Sequence, residues 1–188
     1  MEEYIRGYYP GPKGISLVDI FGYSAKGLPG LEIIGLGQSG KFIKEKILYI
    51  CKSNGLKFQL KRYVICVDRD VEVKDKNKIL WLELPILILF LTLTGHLRIK
   101  KLHQFMSSGR IYLDNKVAVL LFDGRGEKLV QGEKKILFCG ECPVREEAEA
   151  KMISLEELLG PICPFRYESI STREILQESM GGELTIFA

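Results

Sequence analysis

The stretch Trp81-Leu-Glu-Leu-Pro85-Ile-Leu-Ile-Leu-Phe90-Leu-Thr-Leu-Thr-Gly95 decides how the rest of the chain reads. It is the longest strongly apolar run. Pro85 has a fixed φ and no backbone N–H, which suits the first turn of a helix. Leu84, Ile86, Leu87, Ile88, Leu89, Phe90, Leu91 and Leu93 cover every side of that helix, and Gly95 can take the left-handed position that ends it. A helix apolar all round is a buried core element or a membrane span. Glu83 interrupts the run at its start, and the segment from Leu84 to Gly95 falls short of the roughly 17 to 25 apolar residues that a span needs. The stretch therefore reads as a buried helix. A central strand is the rival, because leucine and β-branched residues suit either structure. No membrane association is expected.

Outward from this stretch, composition sets the bounds. A chain of 188 residues that is 46 % hydrophobic suits one domain with a real core, not disorder. Lys and Arg number 27 against 24 Asp and Glu, a net charge of +3, so charge alone argues for solubility and not for nucleic acid. The opening MEEYIRGYY lacks the regions of a signal peptide, and five cysteines is an odd number. Both point to a reducing, cytoplasmic setting. His96 and His103 are the two histidines, which limits histidine chemistry.

Upstream, Glu3–Tyr9, Ile15–Phe21 and Leu31–Gly35 read as strands. The loop 22–30 breaks regular structure with its glycines and proline, so the second and third strands read as a long hairpin. A helix runs from Gln38 or Ser39 to Asn54-Gly55, with Phe42, Ile43, Ile47, Ile50 and Cys51 at helical spacing and Lys41, Lys44, Glu45, Lys46 and Lys52 between them. Tyr63–Val67 reads as a short strand and Asp68–Asn77 as a solvated loop or an irregular hairpin. Downstream, Gly109–Tyr112, Val117–Phe122 and Ile136–Cys139 read as strands joined by polar turns. Val144–Ala150 reads as a short helix. Ser154-Leu-Glu-Glu157 is a capping signature. Pro161–Pro164 reads as a linker and Ser171–Met180 as another capped helix. The expected division is a domain over 1–160 and a linker or helical tail over 161–188.

Several segments invite chemistry. Gly35-Leu-Gly-Gln-Ser-Gly40-Lys41 satisfies G-x4-G-K between a strand and a helix, the setting of a phosphate loop. Phe42 comes next, however, and offers no hydroxyl for magnesium, so a glycine-rich turn without ligand is the simpler reading. No cofactor is expected. Cys139 and Cys142 form one CxxC, with Cys163 as a candidate third metal ligand, but no second close pair exists; free thiols are the simpler reading. The acids Asp68, Asp70, Glu72, Asp75 and Glu83 interleave with Lys74, Lys76 and Lys78, as on a screened surface. A serine–lysine dyad drawn from Ser107 or Ser108 with Lys116 or Lys128 has no support from spacing. Lys57, Lys61 and Arg62 around Phe58, and Lys100 and Lys101 past the apolar stretch, could neutralise phosphates while an aromatic ring stacks a base. The same residues also read as a solvated face.

Taken together, these segments resemble the N-terminal domain of the magnesium-chelatase-related YifB and ComM family. Gly27-Leu28-Pro29-Gly30 followed by Leu31-Glu-Ile-Ile-Gly-Leu36 matches that family's GLPG segment. Leu84-Pro85-Ile86 through Gly95 matches its LPI segment, and Tyr63–Val67 the strand before it. Ser108–Asn115, Lys135–Cys139 and Ser154–Leu159 resemble its later segments. The resemblance spans about residues 1–160 and implies an α/β (α+β) fold. Its form is the mixed β-sheet with packed helices of the ribosomal-protein-S5 second-domain superfamily, shared with the Lon proteolytic domain. It implies that nucleotide binding belongs to an AAA+ domain following this one, not to Gly35–Lys41. It further implies a non-catalytic interaction or oligomerisation module tied to competence and DNA processing. A second copy or an AAA+ ATPase would be its partner, and nucleic acid is the alternative. The chain departs from the family at Gly37 and Gln38, where proline and aspartate are usual. Glu83 stands nearest the position of the Lon-like nucleophile, so a degenerate hydrolase is the remaining rival.

Overall fold

The computed structural model describes residues 2–11, 14–68, 76–121, 136–139 and 152–171. The chain opens with β1 (Glu2–Gly11) and β2 (Gly14–Ala25), an antiparallel hairpin in register from Glu2 opposite Tyr23 to Gly11 opposite Gly14. β3 (Gly30–Ile34) leads into helix α1 (Gly37–Ser53), which returns to β4 (Arg62–Val67). A single turn, α2 (Lys76–Ile79), and a 3-10 turn (Leu80–Leu82) run directly into α3 (Glu83–Leu93). A second 3-10 turn (Leu102–Gln104) precedes β5 (Phe105–Ser107), β6 (Gly109–Ile111) and β7 (Lys116–Leu121). The remaining described elements are β8 (Ile136–Cys139), β9 (Met152–Ser154), α4 (Leu155–Leu159) and β10 (Arg166–Ser171).

Seven strands form one mixed sheet in the order β3-β4-β2-β1-β5-β8-β9, in which β2 alone runs against its neighbours. A second sheet has the order β10-β7-β6. The fold is thus of the α+β class expected from sequence. The expected hairpin of the second and third strands does not form. β4 lies between them, pairing antiparallel with β2 and parallel with β3. Parallel neighbours need a crossover, and α1 supplies it. The stretch from 161, expected as linker or helical tail, instead supplies β10, parallel to β7, with Cys163 and Phe165 buried ahead of it. The helices expected at Val144–Ala150 and Ser171–Met180 lie outside the described residues, Ser171 excepted, which ends β10.

The apolar stretch is the buried helix its sequence implies. Every residue from Glu83 to Leu93 is buried. Its eight large apolar side chains, at roughly 1.5 to 3 kcal/mol each on full burial, outweigh any surface ion pair many times over. α3 packs on β1, β2 and β4 of the large sheet and on β6 of the small one. Pro85 sits in its first turn. At its end Gly95 takes φ 83°, with Gly95 N–H donating to Thr92 O and His96 N–H to Leu91 O. This is the Schellman closure. α1 closes the same way at Gly55, with Gly55 N–H donating to Lys52 O and Leu56 N–H to Cys51 O.

The seat of α3 on β2 depends on a missing side chain. A Cβ at Gly22 would lie 2.9 Å from Leu93 Cδ1 and 2.9 Å from the carbonyl oxygen of Val64. Leu93 can adjust, but a backbone oxygen held in the ladder cannot. Gly22→Val is therefore expected to cost about 1–3 kcal/mol of stability, read as a lower urea midpoint. An unchanged midpoint would contradict the close approach of α3 to β2.

Candidate functional site

The apolar helix starts with a carboxylate, and Glu83 is fully buried. Lys46 Nζ on α1 donates to Glu83 Oε1 at 2.5 Å and to Ile111 O on β6 at 3.0 Å. Ile111 N–H donates to Glu83 Oε2 at 2.8 Å. One ion pair therefore joins α1, α3 and β6. Burial pushes the Glu83 carboxyl above the ordinary carboxylate range, while Lys46 and the Ile111 N–H pull it back down. Lys46, expected among the solvent-facing residues of α1, instead turns inward, with its Nζ 5.0 Å from the centre of the Phe42 ring. The signal in the sequence was Glu83 itself: an acid set in an apolar helix requires a cation.

This arrangement offers no nucleophile. Ser108 Oγ donates to Trp81 O at 3.4 Å, and Ser107 Oγ is buried with no hydrogen-bond partner among the described residues. Lys116 pairs with Glu168 on β10. The dyad drawn from Ser107 or Ser108 with Lys116 is not assembled, and Lys128 lies outside the described residues.

The phosphate-loop candidate is occupied by structure. α1 begins at Gly37, so Gly37–Lys41 lie within the helix and do not wrap ahead of it. Gly35 has φ 99°, and a Cβ there would lie 2.2 Å from Val67 O; the glycine lets the end of β3 close on β4. Gly40 packs against Ile33, and Lys41 is exposed. Of the thiols, Cys139 ends β8 and Cys142 lies outside the described residues. Cys163 is buried, and burial pushes its thiol up to about 11. Cys51 on α1 rises to about 12, by burial first and by Cys163 second. Neutral buried thiols are poor nucleophiles and poor ligands. Among the described residues no group of three or more His, Cys, Asp or Glu is placed to hold a metal. No described helix is long and apolar enough to cross a membrane.

The loop after α1 packs on the end of α3. The Phe58 ring lies 5.0 Å from Phe90 and 5.3 Å from His96, which joins the loop after α1 to the loop after α3. Lys57, Lys61, Lys100 and Lys101 are exposed, and Arg62 pairs with Glu32 at 2.6 Å. In the GLPG turn, Gly27, Leu28 and Pro29 are exposed and Gly30 N–H donates to Lys61 O at 3.1 Å. Leu84 and Pro85 are core residues.

Sequence reasoning missed the other face of the large sheet. α1 and α3 cover the side carrying Leu31, Tyr63, Ile65, Val18, Ile20 and Ile5. On the opposite side, register aligns Ile34, Cys66, Phe21 and Tyr4 in one row across β3, β4, β2 and β1. Glu32, Val64, Tyr23 and Glu2 form the next row. Ile34, Phe21 and Tyr23 are 43 %, 47 % and 37 % exposed. The alternation along β2 was visible in the sequence; which side the helices take was not. Beside this patch a cleft of about 520 Å³ opens, lined by Glu2, Glu3, Tyr4, Phe21, Tyr23 and His103. No protein-family model matches the chain, and no curated protein matches it.

The buried pair yields a direct test. Lys46→Met or Glu83→Leu alone leaves one uncompensated buried charge and is expected to cost about 3–5 kcal/mol. The double variant orphans the Ile111 backbone groups but no charge, so it should cost clearly less than the sum of the singles in urea unfolding. Additive losses would contradict a dry pair.

Proposed function

We propose that the chain is a non-catalytic protein-interaction and oligomerisation domain whose contact surface is the open face of β3-β4-β2-β1. The observation that carries this reading is the exposure of Ile34, Phe21 and Tyr23 in adjacent register rows, on the side away from both helices. Large apolar side chains clustered on one face and rimmed by charge mark contact surfaces. The burial of Glu83 against Lys46, and the absence of a lysine from the hydrogen bonding of Ser107 and Ser108, favour a role without catalysis. The resemblance to the YifB and ComM family adds the setting: DNA-processing or competence machinery, with an AAA+ ATPase as a candidate partner. That addition is analogy from fold to function and not chemistry. Self-association is the simplest form of the reading. Light scattering across a concentration series should show assembly, and Phe21→Asp with Tyr23→Asp should abolish it while leaving the thermal midpoint unchanged. A chain that stays monomeric at every concentration would overturn it.

The exposure of Lys57, Lys61, Lys100 and Lys101 favours one other reading, nucleic-acid binding through these lysines and Arg62; the Phe58 ring, packed on Phe90 and His96, supplies no stacking face to it. On that reading, anisotropy of labelled single-stranded or branched DNA should report binding that weakens with salt. Each lysine removed from a phosphate contact should lower the salt slope by about 0.7 on single strands. No binding at low salt would remove this reading.

A further inference from the structure

The barest apolar side chains among the described residues stand together at one end of the large sheet. Ala25, the last residue of β2, lies opposite Arg62 on β4, and Gly30 of β3 lies beside the same residue. Gly30 N–H donates to Lys61 O at 3.1 Å, and Lys61 N–H donates to Gln59 O at 2.8 Å. The loop 26–29 and the turn 59–61 therefore leave the sheet side by side. A Cβ on Gly27 would lie 3.7 Å from Arg62 Cβ, so the loop lies close over β4. Leu28 and Leu60 project from this tip, 88 % and 85 % exposed, whereas Phe42 and Leu113, next in order, are 59 % exposed. Lys26 and Lys61 flank the leucines in sequence and are exposed, as is Lys57 on the same loop as Leu60. Of the acids at this end, Glu32 is matched by Arg62. Glu2 and Glu3 stand one strand further across, opposite Tyr23 and Gly22.

Bare leucines set among lysines ask for a surface that is apolar and anionic at once. A nucleic-acid backbone would match the lysines and leave the leucines in water. A protein partner would need a pocket shaped to two projecting side chains, whereas a bilayer accepts a convex tip without one. Anionic headgroups meet the lysines, and the acyl boundary beneath them takes the leucines. Contact of this kind needs no spanning helix, and α3 stays in the core. We propose that this tip docks on a membrane surface of anionic lipid, with Leu28 and Leu60 entering the acyl boundary and Lys26, Lys57 and Lys61 at the headgroups. The tip is separate from the row of Ile34, Phe21 and Tyr23, so the contact does not rest on self-association through that face.

The test sediments the whole chain with vesicles of phosphatidylserine and phosphatidylcholine in equal parts, and with vesicles of phosphatidylcholine alone. The expected result is binding to the anionic vesicles that weakens as salt is raised, and roughly tenfold to a hundredfold weaker binding to the neutral ones. Leu28→Ser with Leu60→Ser should weaken binding to the anionic vesicles by about tenfold or more. Lys26→Gln and Lys61→Gln should each weaken it about fivefold. All four side chains are exposed, so the thermal midpoint should not change. No sedimentation with anionic vesicles at low salt would overturn the proposal, and is the outcome if the tip serves a protein pocket instead. Equal binding to neutral vesicles would overturn it too. So would binding indifferent to the leucine pair, which would be adhesion of lysines alone. Light scattering without vesicles reads self-association separately, so either idea can fail without the other.

Discussion

A carboxylate buried at the start of an apolar helix is costly unless it is paired and hydrogen-bonded, and here it is both. Glu83 receives Lys46 from α1 and the Ile111 N–H from β6, and Lys46 also reaches the Ile111 carbonyl. Hydrophobic packing alone would let α3 rotate or slide, since it is apolar on every side. The polar triangle removes that freedom. It fixes the rotation of α3, the placement of α1 beside it, and the seat of the small sheet. Burial supplies the free energy, and the pair supplies the register. Buried ionic groups are best attested in such specifying roles, where they select one arrangement among several of similar stability.

The consequence for the surface is geometric. With both long helices drawn to one side of the large sheet, Phe21, Tyr23 and Ile34 stand on the other side, around the buried Val64. Short or charged residues cover part of it: Arg6 with Asp19, Arg62 with Glu32. Phe21, Tyr23 and Ile34 are large and remain in water. Among the described residues, packing and the Glu83–Lys46 pair settle the interior, and Phe21, Tyr23 and Ile34 stay partly exposed. The contact of Phe58 with His96 lies apart from the ion pair, at the C-terminal end of α3.

What could be read from the sequence was local. The apolar helix and its glycine stop, the helix ending at Asn54-Gly55, and the Ser154 cap were all legible, because period, capping and left-handed glycine act over a few residues. Ser154 Oγ indeed accepts from Glu156 and Glu157 N–H. What failed was non-local. Nothing in the loop 22–30 reveals that β4 will enter between β2 and β3. The strand β10 was hidden because Arg166–Ser171 mixes charge and polar residues, and its pairing with β7 is set by a partner some fifty residues away. Lys46 read as surface because it stands among charged neighbours on α1; only Glu83, far along the chain, turns it inward. The phosphate-loop pattern is ambiguous in sequence for a related reason. Gly35 is needed for the approach of β3 to Val67, and a glycine required by packing looks the same in sequence as one required by a ligand. The exposed face was not legible, because alternation shows that β2 has two sides and not which side the helices will cover.

If the Glu83–Lys46–Ile111 triangle holds the core, it cannot open without the whole domain opening. Native-state amide hydrogen exchange tests this most directly. The Ile111 amide, bound to Glu83, and the amides of Ile86 to Leu93 should exchange only through global unfolding, with protection matching the unfolding free energy from urea. Exchange of Ile111 or of the first turns of α3 through local opening, well below that limit, would contradict the central role of the buried pair.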